Sequence, residues 1–433
     1  MTSTTGSRVT SNAASGNWAT YDGGTGRSGR ATDGPSSPST VREQWTSLTL
    51  DGDVYTQPLV VGDRIVVATE NDTVYSLNAA DGAIVWKRHL GEPVPGSSLP
   101  CGDVDPVGIT GTPVLDTRTN RIFAVGLVRP AHDVLFALDA TTGRVVASAR
   151  VDADGADPAV QDQRGALALS HGTVFVPYGG RYGDCGDYRG RLVTVAVAAN
   201  GFGKLASYTL PTQREGGFWA PPGPVITPDG SVYLASGNSS SSSSYDYGNS
   251  VVRLTPNLRL VDSWAPTDWA ALNANDSDVG STSPVLLPGN RVFQIGKQGI
   301  GYLLDAHHLG GIGGELSSGD VCDGTGVFGG IAHDGNTMFV PCTNAVVQLT
   351  VNGNSFSTGW TTAISTPGPT VVADGAVWTI ASEKGDLIAL DQTSGRTLTS
   401  QHLGPVPSRF TSAALGDNRV IAAAGRVVYA FGN

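Results

Sequence analysis

No stretch of this 433-residue sequence is apolar for long enough to span a bilayer. None carries the 3.6-residue apolar period of a long amphipathic helix. Charged residues make up only 15% of the chain, and no basic cluster offsets a formal net charge of −11. Nucleic acid and anionic membrane are therefore poor partners. The opening MTSTTGSRVTSNAASGNW lacks the apolar core of a secretory signal. A soluble, cytoplasmic protein is expected, or a secreted one if the sequence is a mature form. Cysteine is scarce as well: Cys101, Cys185, Cys322 and Cys342 are the whole set. No Cys-x-x-Cys is present, which excludes c-type haem attachment, and an even count points to disulfides rather than metal. Cys322 and Cys342 fall in neighbouring segments and are paired, leaving Cys101 with Cys185. Four buried thiols in a reducing compartment are the alternative.

What the chain does have is glycine, 58 residues, and proline, 25. That mix suits many short strands joined by tight turns. The length alone suggests two or three domains, but a repeat overrides it. Gln57 to Leu90 holds four β-rich runs broken at Gly62-Asp63, Asn71-Asp72 and Asp81-Gly82, all good turn formers. The pattern returns from Thr112, Gly165, Gly223, Ser283, Gly330 and Gly368. An eighth copy from Ser412 stops after three strands, and Val41 to Leu50 resembles the missing fourth. The predicted fold is thus all-β, a single eight-bladed propeller over residues 17–433. Its blades are four-stranded and antiparallel, and the two chain ends complete the last one. Closure leaves no large exposed face. Residues 1–16, rich in Ser, Thr and Gly, read as a disordered tail.

In such a ring, the residues entering each innermost strand surround one mouth of a central funnel. The repeat register puts Tyr55, Thr110, Arg164, Phe218, Trp219, Asp278, Ser281, Phe328, Arg409 and Phe410 there. This aromatic set with a few charges suits a largely hydrophobic small molecule. Plugging of the channel is the structural alternative for the aromatics. Ser239–Ser244 reads as a flexible surface loop, and His307 and His308 as surface residues.

The blade pattern with LNAADGAIVW, and the opening NWATYDGGTGRSGR, resemble the quinoprotein-like propeller superfamily across about residues 17–433. That superfamily includes alcohol dehydrogenases using pyrroloquinoline quinone (PQQ) and a non-catalytic propeller lipoprotein of outer-membrane protein assembly. The resemblance implies roles for particular residues. GGFWAPP places Trp219 where a tryptophan supports the quinone. VYLASGN places Asn238 where an asparagine binds calcium. NDSDVGSTSPVLL places Asp276 and Asp278 at the catalytic aspartate and a companion acid. GKQGIGYLLDA places Lys297 where a basic residue reaches the quinone carbonyl. Two adjacent carboxylates raise one pKa, and a lysine beside them counters the shift and can polarise a carbonyl. Packing, turn-capping and ion-pairing roles are the structural alternatives at these five positions. The chain also departs from the dehydrogenases. Cys101-Gly102 stands where they carry adjacent cysteines. GGRYGDCGDYRG lacks their calcium-binding glutamate, for which Asp184 or Asp187 could substitute through a different loop.

Three functions remain compatible. The first is a cofactor-free enzyme of specialised metabolism, a cyclase or isomerase acting on a hydrophobic natural-product intermediate. It would bind no metal and use Asp276, Asp278 and Lys297 as acid–base groups. The second is a non-catalytic binding or assembly scaffold. The third is a calcium- and PQQ-dependent alcohol dehydrogenase. A monomer is expected in each case, since a closed ring buries its core without a partner.

Overall fold

The structure, a computed structural model of the chain, describes residues 17–152 and 155–433; the tail expected over residues 1–16 lies outside the described residues. Eight sheets form the ring, antiparallel throughout except for one short strand added parallel to the outer edge of the fourth. Their innermost strands begin at Leu59, Val114, Ala168, Val225, Val285, Ala332, Val371 and Ala414, which number blades one to eight. Blade one runs outward as Leu59–Val61, Arg64–Thr69, Thr73–Asn78 and Ile84–His89. Its inner three strands are mostly buried and its outer strand mostly exposed. Neighbouring blades pack face to face, so these inner strands read as near-continuous Val, Ile and Ala rather than as an alternation. Blades three and four each gain one further short strand. No helix among the described residues is long and apolar enough to cross a membrane.

The ring closes as the repeat predicts. Arg42–Thr46 pairs antiparallel with Val427–Gly432, giving blade eight its outer strand. Trp45 on that strand also reaches into blade one. Its indole nitrogen donates to the Ala79 carbonyl at 2.9 Å, and its ring lies over Gly82, where any side chain would strike it. The same contact recurs between Trp86 and Ala140/Gly143, and between Trp360 and Gln392/Gly395. An outer-strand tryptophan thus docks on the turn of the following blade. Glycine at that turn serves twice: it adopts a positive φ and leaves room for the ring.

Both disulfides form as paired in the sequence. Cys101–Cys185 joins the blade one–two connection to the long hairpin loop of blade three, and Cys322–Cys342 ties a 20-residue span in blades five and six.

A further element was not foreseen. Residues 18–33 run as a collar along the inner strands. Trp18 exchanges two hydrogen bonds with Val60 in blade one. Ala19 accepts from Leu115 in blade two, and the Arg27 guanidinium donates to Leu167 O at the edge of blade three. Thr25 O then meets Ile226, Ser28 O meets His333, and Gly29 and Ala31 bracket Val372. Asp33 finally caps Asp417 N in blade eight. Tyr21, Asp22 and Arg27 are buried within the channel. Burial drives Asp22 up to about 7 although Arg27 and Gln57 pull it down.

Two predictions follow from these contacts. Trp45→Ala should lower unfolding free energy by about 3–5 kcal/mol in urea titrations, whereas Trp45→Phe, which keeps most of the ring, should cost less. Asp72 is fully buried at the edge of blade one with neither carboxylate oxygen hydrogen-bonded, and burial, then Glu70 and Asp133, push it to about 9. A carboxylate raised this way favours the fold at low pH and withdraws that support as pH rises toward 9. Asp72→Asn, which tolerates the residue's φ of 51°, should therefore raise Tm by about 2–4 °C at pH 8 and by less at pH 5, as read by calorimetry.

Candidate functional site

A cavity of about 690 Å³ opens at the mouth where the inner strands begin. It gathers Arg164, Trp219, Asn238, Asp276, Asp278, Lys297, Phe328, Arg409 and Phe410, all singled out from the sequence. The positions follow from the fold. Trp219 and Asp278 enter blades four and five, while Asn238 and Lys297 top the second strands of those same blades. The Lys297 amide donates to Asp278 O at 2.8 Å, which locks the two elements together. Gly237 lies between the Asp278 carboxylate and the Trp219 indole, and any side chain there would strike both.

Lys297 Nζ lies 2.8 Å from Asp276 Oδ1 and 2.6 Å from Asp278 Oδ2, and 5.8 Å from the centre of the Trp219 ring. The two acids differ in setting. Asp276 is exposed, whereas Asp278 is buried and accepts a further hydrogen bond from the Asn238 amide. Burial raises Asp278 to about 6; Lys297 and the Asn238 amide hold it down from going higher, and Asp276 adds a smaller upward push. The like-charge effect anticipated from the sequence is thus secondary to desolvation. Burial works to lower Lys297, but Asp278 and Asp276 outweigh it and the ammonium is held above its ordinary value. Phe410 crosses the funnel from blade eight, meeting Trp219 edge-on at 6.2 Å and Phe328 at 6.3 Å, with the Arg164 guanidinium 4.9 Å above its ring.

Other expected mouth residues lie elsewhere. Phe218 is packed in the core between blades three and four, and the buried Ser281 hydroxyl donates to Val327 O. Thr110 donates to Glu70 and lines a narrow crevice beside the cavity, and Tyr55 is half-buried near Glu70 and Asp103. The serine run is not simply a surface loop. Ser239 and Ser241 are buried and bonded to Asn273, which the short helix Trp269–Ala274 carries inward. His307 and His308 are exposed, as expected.

Glu215 was missed. It is 5% exposed, pairs with Arg214, and places Oε2 3.5 Å from the Asn238 side-chain amide. Burial raises its pKa, Arg214 lowers it, and Asp184 and Asp276 raise it further. Its position directly before Gly216-Gly217-Phe218-Trp219 was the available signal. Asp184 also lines the cavity and accepts from the Tyr188 hydroxyl, whereas the exposed Asp187 is not among the lining residues.

A family model described as outer membrane protein assembly factor BamB matches residues 35–277, more than half of the chain. The chain belongs to this BamB family. This member is also similar to a polyvinylalcohol dehydrogenase from a Pseudomonas species, 29% identical over 208 residues. That match takes in 42% of this chain and 29% of the enzyme, so less than a third of the relative is covered. Among solved structures, the quinohemoprotein alcohol dehydrogenase ADHIIG of Pseudomonas putida HK5 superposes with a TM-score of 0.74 at 14% identity, over 96% of this chain and 80% of that one. A europium-containing methanol dehydrogenase superposes at 0.73 and 15% identity, over 97% and 99%. These relatives overturn the cofactor-free cyclase or isomerase of natural-product biosynthesis, and with it the expectation of no cofactor: they are dehydrogenases, two of them carrying a quinone or a metal by name.

The lining of the BamB-family cavity fits both groups. A flat quinone suits a wall made of Trp219, Phe328 and Phe410 with cations around it. For a metal, Asp184, Asp276 and Asp278 line the cavity, and Glu215, beside Asn238, feels both Asp184 and Asp276. Their hard oxygen donors suit a hard cation. Among the described residues, no three acidic, cysteine or histidine side chains form a metal cage by themselves. The Asn238 amide oxygen and the bound ligand's own oxygens would have to complete the set.

Lys297→Met strands the buried Asp278 carboxylate and should destabilise the protein by about 3–5 kcal/mol. Adding Asp278→Asn should restore most of that loss. Urea unfolding of both variants reads the coupling.

Proposed function

We propose that this chain is the propeller of an alcohol dehydrogenase that uses PQQ and a hard cation such as calcium. The observation that carries the proposal is the triangle of Trp219, Asp278 and Lys297 around Gly237, facing one cavity of small-molecule size. When bound, the quinone accepts the two electrons of alcohol oxidation and the cation polarises its carbonyl.

The chain's own groups supply the rest. Trp219 offers a flat apolar face that orients a planar ring. Glu215 and Asn238 offer oxygens for the cation. Asp278 takes the alcohol's hydroxyl proton at a carboxylate oxygen; a pKa of about 6 leaves it ionised at neutral pH yet basic enough to accept. Lys297 keeps that carboxylate charged and positioned, and Asp276 holds the ammonium from its exposed side. Phe328 and Phe410 narrow the water path to the reacting atoms.

Incubation with PQQ and calcium should give a bound-quinone absorption band and alcohol-dependent dye reduction. Asp278→Asn should lower kcat by about 10²-fold or more without removing the band. A protein that binds no quinone and reduces no dye would sink the proposal.

A further inference from the structure

The four cations on the cavity wall are not equivalent. Lys297 is paired with Asp276 and Asp278, Arg181 with Asp162 at 3.2 Å, and Arg164 more loosely with Asp162 at 4.0 Å. Arg409 takes part in none of the ion pairs or side-chain hydrogen bonds among the described residues. It is not loose, however. Its guanidinium carbon rests 4.7 Å from the centre of the Phe328 ring. The turn that carries it is pinned by Ser408, which accepts from the Phe410 amide through its hydroxyl and from the Thr411 amide through its carbonyl, each at 3.1 Å. The acids of the wall that lack an ion pair, Asp103 and Asp184, belong to the blade one–two connection and to blade three.

We infer that Arg409, seated on Phe328, is a carboxylate-binding subsite at the rim of the cavity. Arginine's planar fork matches a carboxylate with two parallel hydrogen bonds. Packing on an aromatic face holds the side chain in place before the ligand arrives, which lowers the ordering cost of binding. A guanidinium held in this way without an acceptor selects a ligand bearing an anionic group over its neutral analogue. This replaces the largely hydrophobic ligand expected from the sequence with an organic anion that also has a flat or apolar part for Phe410 and Trp219. The carboxylate could be brought by the quinone or by a hydroxy-acid substrate, and only that last distinction rests on the dehydrogenase reading.

The first arm of the test uses the protein as isolated, with 1-naphthoate and the neutral 1-naphthamide titrated calorimetrically into wild type and Arg409→Gln. Wild type should prefer naphthoate about ten-fold or more, and Arg409→Gln, an exposed change that leaves the fold intact, should abolish the preference while leaving naphthamide unchanged. Equal binding of the two probes, no binding of either, or an unchanged preference in the variant would overturn the subsite. The second arm titrates PQQ into both proteins and compares KM for a hydroxy acid with KM for the neutral alcohol of equal length. A weakened PQQ complex assigns the subsite to the cofactor. A raised KM confined to the hydroxy acid assigns it to the substrate. Naphthoate preference in a protein that takes up no PQQ would refute the dehydrogenase and retain the subsite.

Discussion

The pairing of Arg42–Thr46 with Val427–Gly432 is the constraint on which the molecule depends. The four main strands of each of the other seven blades follow one another along the chain, and only blade four borrows a short strand, Gly311–Ile312, from the blade five stretch. Blade eight is made from both ends, so its few hydrogen bonds and the Trp45 contact to blade one hold the circle shut. Without them blades eight and one would each offer a sheet face to water, because a propeller buries its faces only against its neighbours. The funnel exists only in the closed ring. Phe410 of blade eight meets Trp219 of blade four across the axis, and its neighbour Arg409 meets Phe328 of blade six.

At the mouth, charge rather than apolar packing decides the arrangement. Burying Asp278 is costly, and the cost is offset by Lys297 and by the Asn238 amide. The result is a carboxylate raised to about 6 beside an aromatic wall, with Glu215 held nearby by Arg214. Family membership fixes the architecture but not this chemistry, since closely similar propellers serve both assembly and oxidation. The proposal of alcohol oxidation therefore stands on Trp219, Asp278 and Lys297 themselves.

The propeller was legible because its signals are local: two-residue turns and β-rich runs recurring at a steady interval need no knowledge of distant contacts. That register also brought Trp219, Asn238, Asp276, Asp278 and Lys297 to one cavity. It failed where a side chain's direction depends on loops that the repeat does not govern. Phe218 precedes Trp219 by one residue and faces the opposite way, into the blade three–four core. Glu215 reaches Asn238 only because its backbone takes a positive φ and bridges to Arg189 and Ser239. The serine run turns inward because Asn273, from a distant helix, supplies its partners. The cofactor was misjudged for a related reason. A missing glutamate in one loop was read as a lost site, whereas an acid from another loop stands beside the asparagine.

The collar of residues 18–33 gives the funnel a bottom. It bonds to the inner strands of five blades and to residues flanking those of two more, and fills the axis with Tyr21, Asp22 and Arg27. A chain lacking it would be an open pipe, and a molecule entering at the mouth could leave by the other end. With it in place, the molecule is a cup: a ligand and the water it displaces share the one mouth.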